Sequence, residues 1–334
     1  MSIALRRPRL RRPALLAAAG VACLAIAAGA AWLFLTASGP RAHVVEYPVK
    51  DASQMPTAIT AGPDGSVWFT IDLVDALGRL RDGHVEFLPT GMKAIEPAGL
   101  AAAPDGSVWF TDNAAHAISR MAPSGEVTRI PLDTPSVRLG RLAVGANGAV
   151  WFAEETGYSI SEIRDGAVIR HYYDSPRGGP YGVAVAPDGT AWASLQSGDQ
   201  ILRIGTDGTV KAYDLPNAAS VPSDVAVGPD GAVWFLEYRG DAIGRLVGDR
   251  IQEFPVGDKT VGLTGLAVTP DGAVWFGMLR DGSLGRLRNG RIDRFRLPRE
   301  RARPYTLAAD RDGNIWYADI SGYVGMIPAR DAQR

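Results

Sequence analysis

The sequence predicts an all-β fold, a seven-bladed β-propeller of four-stranded antiparallel blades, from a tryptophan ladder and a repeated turn phrase. Seven of the eight tryptophans are spaced 41 or 42 residues apart. They are Trp68, Trp109, Trp151, Trp192, Trp234, Trp275 and Trp316. No helical periodicity interrupts the series. A fixed period of about 40 residues is typical of propeller blades, so each tryptophan marks one blade and is expected in the core between blades.

Each repeat divides into four short strands, which we call a, b, c and d. In the fifth repeat, the apolar runs 225–227, 233–236, 242–246 and 250–254 are separated by turn-forming residues. Pro-Asp-Gly between strands a and b suits a tight hairpin, because proline presets φ and glycine accepts a positive φ. Asp-Gly, Asn-Gly or Ser-Gly between strands c and d serves the same purpose.

The two ends of the chain are expected to close the ring. The last repeat supplies strands a, b and c, at 305–309, 315–318 and 323–327, but stops before a strand d. Residues 43–48 contain Val-Val-Glu-Tyr-Pro, which matches strand d of other repeats, such as Val-Glu-Phe-Leu-Pro at 85–89. We therefore expect residues 43–48 to complete blade 7, which removes the open sheet edges.

An arginine recurs at one position of strand c. It occurs in five blades, as Arg79, Arg120, Arg203, Arg245 and Arg286. Its repetition predicts a structural role, such as a bond to a loop of the neighbouring blade.

The chain begins with a basic segment followed by a long apolar stretch. Five arginines lie within residues 1–13, and the 24 residues 14–37 carry no charge. That length exceeds the core of a signal peptide and fits the roughly 20 residues that span a bilayer. Because positive charge marks the cytoplasmic side, we expect a single-pass anchor in the cytoplasmic membrane with the propeller on the periplasmic or extracellular side. Cleavage within 37–42 is the alternative and would release a secreted propeller.

The expected organisation has five parts. They are a cytoplasmic basic segment (1–13), a transmembrane signal anchor (14–37), a linker (38–42), the propeller (43–328) and a C-terminal tail (329–334). The only cysteine, Cys23, lies in the apolar stretch, so the propeller can form neither a disulfide nor a cysteine-based metal site. After position 39 the chain has 30 basic against 36 acidic residues, which makes nucleic acid an unsuitable partner, and we expect a monomer.

Function is expected on the face that carries the b–c loops and the d–a connections. The a–b and c–d turns of the other face are short and repetitive, whereas the d–a connections vary, and variable loops on a rigid scaffold usually carry binding sites. One set of candidate residues enters strand a of each blade. This set is Thr57, Ala98, Gly140, Tyr181, Ser223, Thr264 and Tyr305.

The third position after each tryptophan supplies four carboxylates, Asp112, Glu154, Glu237 and Asp319. Carboxylates in one ring could hold a hard cation such as Mg²⁺ or Ca²⁺, and Glu237 is also a candidate general base. The alternative is that these side chains are solvated and cap the backbone of the loops. The sequence by itself requires no cofactor.

The repeated phrase is clearest in Gly-Pro-Asp-Gly-Ala-Val-Trp-Phe at 228–235, Ile-Gly-Arg-Leu at 243–246 and Glu-Phe-Pro at 253–255. It resembles the phrase of the virginiamycin B lyases, also called streptogramin lyases, over about residues 43–328. The resemblance implies that a magnesium ion and a histidine general base open a cyclic depsipeptide by elimination at an ester. It also implies that a histidine and glutamates bind the metal.

The positions that the resemblance implicates carry other residues in this chain. Thr264 replaces a histidine at the entrance of blade 6, and Tyr305 replaces the general base at the entrance of blade 7. Arg303 and Ile320 stand where the resemblance implies glutamates. An unperturbed phenol has a pKa of about 10, so Tyr305 is a poor base near neutrality. The four histidines do not follow a proline at a strand a entrance; they are His43, His84, His116 and His171.

The leading hypothesis is a binding propeller that presents its d–a and b–c loops to a small molecule, a glycan or a protein. The candidate ligand-binding residues are Tyr181, Tyr238, Thr264, Arg303 and Tyr305. Arg303 lies beside two further arginines and favours an anionic ligand. The alternative is an enzyme with a diverged site, either a metal-dependent carbon–oxygen lyase or a lactone hydrolase. A third hypothesis is a purely structural propeller that binds a protein partner.

Overall fold

Seven four-stranded antiparallel sheets form the fold in a computed structural model, which describes residues 42–49, 54–72, 74–92, 96–134, 137–173 and 178–332. In chain order, β1 (Val45–Pro48) precedes blade 1, which is β2 (Pro56–Ala61), β3 (Val67–Ile71), β4 (Ala76–Arg81) and β5 (His84–Pro89). Blade 2 is β6 (Leu100–Ala102), β7 (Val108–Asp112), β8 (Ala117–Met121) and β9 (Val127–Pro131). Blade 3 is β10 (Leu139–Val144), β11 (Val150–Glu154), β12 (Ser159–Arg164) and β13 (Ala167–Tyr172).

The remaining blades repeat the same order of strands. Blade 4 is β14 (Pro180–Val185), β15 (Ala191–Leu195), β16 (Gln200–Ile204) and β17 (Val210–Asp214), and blade 5 is β18 (Pro222–Val227), β19 (Val233–Glu237), β20 (Ala242–Val247) and β21 (Arg250–Pro255). Blade 6 is β22 (Leu263–Val268), β23 (Val274–Met278), β24 (Ser283–Arg288) and β25 (Arg291–Arg296). Blade 7 is β26 (Pro304–Ala309), β27 (Ile315–Asp319), β28 (Tyr323–Ile327) and the returning β1, and a short helix α1 (Ala329–Ala332) ends the described chain. The predicted seven-bladed propeller of four-stranded antiparallel blades is confirmed.

The first strand of the chain closes the ring, as the sequence predicts. β1 pairs antiparallel with β28, with Val45 opposite Met326 and Pro48 opposite Tyr323. Side chains reinforce this pairing, because Tyr317 Oη donates a hydrogen bond to Glu46 Oε1 at 2.7 Å. The sheet order β1-β28-β27-β26 therefore joins the two ends of the propeller within blade 7.

The tryptophans pack between blades, which confirms the interpretation of the ladder. Trp68 of blade 1 is 4% exposed and belongs to a core cluster with Leu100, Val108 and Phe110 of blade 2. Trp234 of blade 5 packs in the same way against the inner strands of blade 6. Burial of these large side chains against the next blade supplies much of the apolar area that holds the sheets side by side.

Three of the recurrent strand c arginines, Arg79, Arg120 and Arg245, bind within their own blade, so the expectation of a bond to a neighbouring loop is wrong for them. Arg286 of blade 6 does reach beyond its blade, because it donates to the Ala332 carbonyl oxygen after blade 7. Arg245 lies directly opposite Trp234 in the β19–β20 register, and its guanidinium sits 5.2 Å from the ring centroid. Its Nη2 also donates to Asp230 in the a–b turn of the same blade at 2.7 Å. The reason is the register, which places the arginine beside the tryptophan of its own sheet. Arg120 and Arg79 likewise pair with Asp105 and Glu86 of their own blades.

Glycine in strand c faces an aromatic ring in strand b. In blade 5 Phe235 lies opposite Gly244, and a Cβ added to Gly244 would come within 2.0 Å of the phenylalanine ring. Blade 4 reverses the sizes at this position, with Ala193 on strand b opposite Leu202 on strand c. The two strands thus share one volume, which one large side chain fills from either side.

The predicted anchor, residues 14–37, lies outside the described residues, as do residues 1–13 and most of the linker. Within the described part of the chain, no helix is long and apolar enough to cross a membrane. The C-terminal tail contains α1, which packs on the propeller, since Ala332 is 2% exposed and its carbonyl oxygen accepts a hydrogen bond from Arg286 Nη1 at 2.8 Å.

The shared volume predicts a compensating pair of substitutions in blade 5. Gly244→Leu alone overfills the site and is expected to lower the free energy of unfolding by about 2–3 kcal/mol, and Phe235→Ala alone by about 3–5 kcal/mol. The double variant recreates the Ala193–Leu202 arrangement of blade 4. We expect the double variant to lose at least about 1 kcal/mol less unfolding free energy than the two single variants lose together. Urea unfolding of the four proteins checks this, and additive losses would contradict the shared-volume interpretation.

Candidate functional site

Two adjoining cavities lie on the face of the b–c loops and the d–a connections. The channel cavity, of about 400 Å³, is lined by strand a entrances of blades 3 to 7 and by b–c residues of blades 4 and 5. The rim cavity, of about 850 Å³, is lined by the corresponding parts of blades 1 to 3 and by Ile320 of blade 7. Tyr181 and Tyr305 line both cavities. The inner strands contact those of the neighbouring blades, so the strand a entrances surround the propeller axis.

The structure brings together four of the five candidate ligand-binding residues. Tyr181, Tyr238, Thr264 and Tyr305 all line the channel cavity. Arg303 lines neither cavity: its side chain is exposed, and its backbone N–H donates to Asp319 Oδ2 at 2.8 Å. The strand that follows Arg303 therefore carries Tyr305 inward while the arginine itself stays on the outer part of the loop.

Tyr305 is unsuited to proton abstraction near neutral pH. Burial raises the pKa of its phenol above the ordinary value, and the adjacent phenol of Tyr181 raises it further, although the Arg141 guanidinium acts in the opposite direction. Thr264 is also engaged, because its hydroxyl donates to the Pro304 carbonyl oxygen at 2.8 Å. Both side chains thus offer shape and hydrogen-bonding groups to the channel cavity rather than a base.

Three of the four candidate metal-binding carboxylates are held by their own blades. Asp319 is fully buried; its Oδ2 accepts from Arg299 at 2.7 Å, and its Oδ1 accepts from the backbone N–H of Ser321 at 2.8 Å. Glu154 accepts from the Ser161 hydroxyl and from Arg170 Nε, the latter at 2.9 Å. The alternative interpretation expects these carboxylates to be solvated, but Asp319 and Glu154 are both buried. Asp319 nevertheless caps loop backbone, as that interpretation proposes, and Glu154 forms an ion pair.

Asp112 accepts a hydrogen bond from the Ala115 backbone at 3.2 Å and lies 3.7 Å from Arg129 Nη2. Across the described residues, no three His, Cys, Asp or Glu side chains lie close enough together to hold a metal ion. The donor set that the resemblance implies for magnesium is therefore not assembled by the part of the chain described.

Glu237 differs from the other three carboxylates. It is fully buried, and neither of its carboxylate oxygens accepts a hydrogen bond from any described residue. The register explains the difference, because the strand d position that holds Arg170 in blade 3 holds Glu253 in blade 5. Glu237 therefore faces a second acid where Glu154 faces a cation.

Blade 7 also places an acid, Glu46, at this strand d position, but it supplies a compensating cation from the d–a connection. Arg299 lies five residues before Pro304 and bridges Glu46 and Asp319. Asn217 occupies the equivalent position five residues before Pro222 and donates to Glu253 at 2.6 Å. A neutral amide takes the place of the guanidinium, and no described cation forms an ion pair with Glu237 or Glu253 of blade 5.

The pKa of Glu237 is accordingly raised from its ordinary value of 4.5 to about 7. Burial is the main cause, and the charges of Glu253 and Asp199 add to it. The Ser220 hydroxyl favours the ionised form, but it already donates to the Asn217 carbonyl oxygen at 3.0 Å.

The sequence reasoning missed two charged residues of the channel cavity, Arg141 and Asp224. Both lie one position after the strand a entrance, where the chain bulges relative to strand b. The signal was present in the sequence, since this register position is small or uncharged in the other blades. The full set is Ala58, Gly99, Arg141, Gly182, Asp224, Gly265 and Thr306.

Among the described histidines, His116 is the one that lines either of these two cavities. It borders the rim cavity with Asp72 and Glu96, and its Nδ1 lies 3.2 Å from the Val137 carbonyl oxygen. His171 instead stacks on Trp151 with ring centroids 5.1 Å apart.

The unpaired acid of blade 5 predicts a pH-dependent effect of Glu237→Gln. The raised pKa means that wild-type Glu237 costs no stability below about pH 4.5 and an increasing amount as the pH rises to about 7. We expect the variant to gain about 2–3 kcal/mol in unfolding free energy relative to wild type between pH 4.5 and 7.5. Urea unfolding over this pH range measures it. Glu154→Gln is the control, because it breaks the Arg170 ion pair and is expected to lower the unfolding free energy at pH 7.5. If the unfolding free energies of Glu237→Gln and wild type changed in parallel with pH, the raised pKa of Glu237 would be contradicted.

Comparison with known proteins places this chain in a family. The sequence model of the virginiamycin B lyase family matches residues 35–174 and 90–333. The virginiamycin B lyase of Nocardia farcinica (strain IFM 10152) is 32% identical over 174 residues, which are 52% of this chain and 60% of that protein. The aligned part of this chain thus spans less than two thirds of that relative.

Solved structures agree with this assignment. A streptogramin B lyase structure has 26% sequence identity and a TM-score of 0.81, over 85% of this chain and 96% of the other. A catalytically inactive histidine-to-alanine variant of virginiamycin B lyase from Staphylococcus aureus with quinupristin gives the same identity and TM-score, over 86% and 99% of the two chains. Since the family model matches well over half of its length, the chain belongs to the virginiamycin B lyase family.

Proposed function

We propose that this chain is a ligand-binding propeller whose site is the pair of cavities on the face of the b–c loops and d–a connections. The observation that carries the proposal is that Tyr181 and Tyr305, both half-buried, line the channel cavity and the rim cavity together. Concave sites lined by aromatic rings with a few polar groups are typical of small-molecule binding. A small molecule is the occupant that cavities of this size favour over a glycan or a protein.

The same positions argue against histidine-dependent ring opening. In the relative from Staphylococcus aureus, replacement of one histidine by alanine is described as inactivating. The resemblance places histidines at positions 264 and 305, and both positions line the channel cavity but carry threonine and tyrosine. The channel cavity therefore carries a threonine and a tyrosine at the two positions where the resemblance implies imidazole groups.

Quinupristin, the compound present with that relative, provides a direct test. We expect the full-length protein in mild detergent to bind it saturably in calorimetric titration and to leave its ring closed. Elimination does not change the mass, so ring opening is followed by chromatography. Tyr305→Ala is expected to weaken binding at least about tenfold, since it removes an aromatic wall of both cavities.

Tyr172→Ala is the matched control, because Tyr172 is 67% exposed on β13 and lines neither cavity. Equal binding by the Tyr305 and Tyr172 variants would contradict the location of the site. Ring opening that Tyr305→Ala abolishes would show that the protein is a lyase.

An enzyme with a diverged site is the second candidate, and His116 is the observation in its favour. Its imidazole borders the rim cavity beside two carboxylates and could remove a proton from a bound ester or lactone. The described carboxylates do not form a divalent-cation site, so Mg²⁺ or Ca²⁺ dependence has no support in this arrangement. Turnover of quinupristin or of a simple lactone that His116→Gln abolishes would favour this candidate.

We further propose that residues 14–37 anchor the chain in the cytoplasmic membrane, with a monomeric propeller on the outer side. The support is the uncharged stretch after five arginines. The full-length protein is expected to stay in the membrane fraction after an alkaline carbonate wash. A version that lacks residues 1–39 is expected in the soluble fraction. If expression of the full-length sequence instead yields a protein in the medium or periplasm that is shortened within 37–42, cleavage is supported.

A further inference from the structure

The innermost ring of side chains in the channel cavity carries two opposite charges. Arg141 of blade 3 and Asp224 of blade 5 occupy the same register position, which carries no charge in the other five blades. Between them lies Gly182 of blade 4, where an added Cβ would come within 2.4 Å of the Ser223 carbonyl oxygen. The close packing of inner strands thus leaves no room for a side chain at position 182, between the two charged residues.

Arg141 has unused hydrogen-bonding capacity. Its Nη1 donates to the Ala98 carbonyl oxygen at 3.1 Å, while its buried Nε has no hydrogen-bond partner among the described residues. The guanidinium lies 5.6 Å from the centroid of the Tyr181 ring, and it forms no ion pair with a described carboxylate. A half-buried guanidinium that is not paired with a carboxylate is a favourable site for a ligand carboxylate, which it can bind through two parallel hydrogen bonds.

Asp224 presents the complementary charge to the same cavity. Its Oδ2 accepts from the Leu266 backbone N–H at 3.1 Å, and no described residue donates to its Oδ1. Asp224 and Arg141 attract each other but do not come within ion-pairing distance. Each charge is therefore open to a group of opposite charge on a ligand.

We propose that the channel cavity binds small amphoteric molecules, with a ligand carboxylate on Arg141 and a ligand ammonium or amide N–H on Asp224. Tyr181 and Tyr305 flank these charges and provide an aromatic wall for an apolar side chain. A cavity of about 400 Å³ suits a ligand of the size of a dipeptide or an acylated amino acid. This inference rests on the proposed ligand-binding function and names the chemistry of its ligand.

Calorimetric titration of the full-length protein in mild detergent with three related probes tests the proposal. The probes are the dipeptide glycyl-phenylalanine, its C-terminal amide, which lacks the carboxylate, and its N-acetyl derivative, which lacks the ammonium but keeps an amide N–H. We expect the dipeptide to bind at least tenfold more tightly than the C-terminal amide. We expect Arg141→Gln to abolish this preference and Arg141→Lys to retain part of it.

Asp224→Asn is expected to reduce the preference for the dipeptide over the N-acetyl derivative. Arg303→Gln is the matched control, since that arginine is exposed and lines neither cavity, and it is expected to leave all three affinities unchanged. Thermal melts of each variant separate lost binding from lost folding. We expect Arg141→Gln to fold, because a glutamine amide can still donate to the Ala98 carbonyl oxygen.

Three results would each overturn the proposal. They are equal affinities for the dipeptide and its C-terminal amide, no binding of any probe, and a charge preference that survives in a folded Arg141→Gln protein. If quinupristin still binds in a manner that depends on Tyr305, only the amphoteric chemistry fails. If neither quinupristin nor a dipeptide binds, the proposed ligand-binding function fails as well.

Discussion

Burial of strand b on both faces of its sheet is the constraint on which the rest of the structure depends. All five residues of β3, β11, β19, β23 and β27 are buried. A sheet whose second strand is apolar on both faces needs a neighbour on each side, and only a closed ring gives every blade two neighbours. The pairing of β1 with β28 completes blade 7, and Trp316 and Val324 of that blade then pack with Ile59 and Phe69 of blade 1.

Closure also separates the residues that maintain the fold from those that are free to change. Asp319 and Glu154 end buried strands and hold loops through hydrogen bonds and ion pairs, so their recurrence reflects blade architecture. Thr264 and Tyr305 enter strand a at the mouth of the central cavity, where one side of the residue faces open space. Substitutions there alter the chemistry of the site while leaving the contacts between blades intact.

Two charge arrangements show how a repeat diverges within a constant scaffold. Blade 5 keeps the acid at the end of strand b but pairs it with Glu253 and Asn217, and the burial of Glu237 without a cation raises the pKa of that carboxyl to about 7. Blades 3 and 5 place Arg141 and Asp224 in an inner ring that is otherwise small or uncharged. In both cases the backbone register is common to all blades, and side-chain identity alone sets the electrostatics.

The sequence by itself determined the number of blades, the four-strand meander and the closing role of residues 43–48, because these follow from local periodicity and turn chemistry that repeat seven times. It also located Tyr181, Thr264 and Tyr305 near one site, since a common register carries each strand entrance to the same end of the propeller. Only the tertiary structure decided that Arg303 points away from the cavities and that Arg141 and Asp224 line one of them. The physical reason is that the path of a single loop sets the direction of the Arg303 side chain, while the bulge in strand a directs the position after each strand entrance, and side-chain direction at a bulge follows from the folded register.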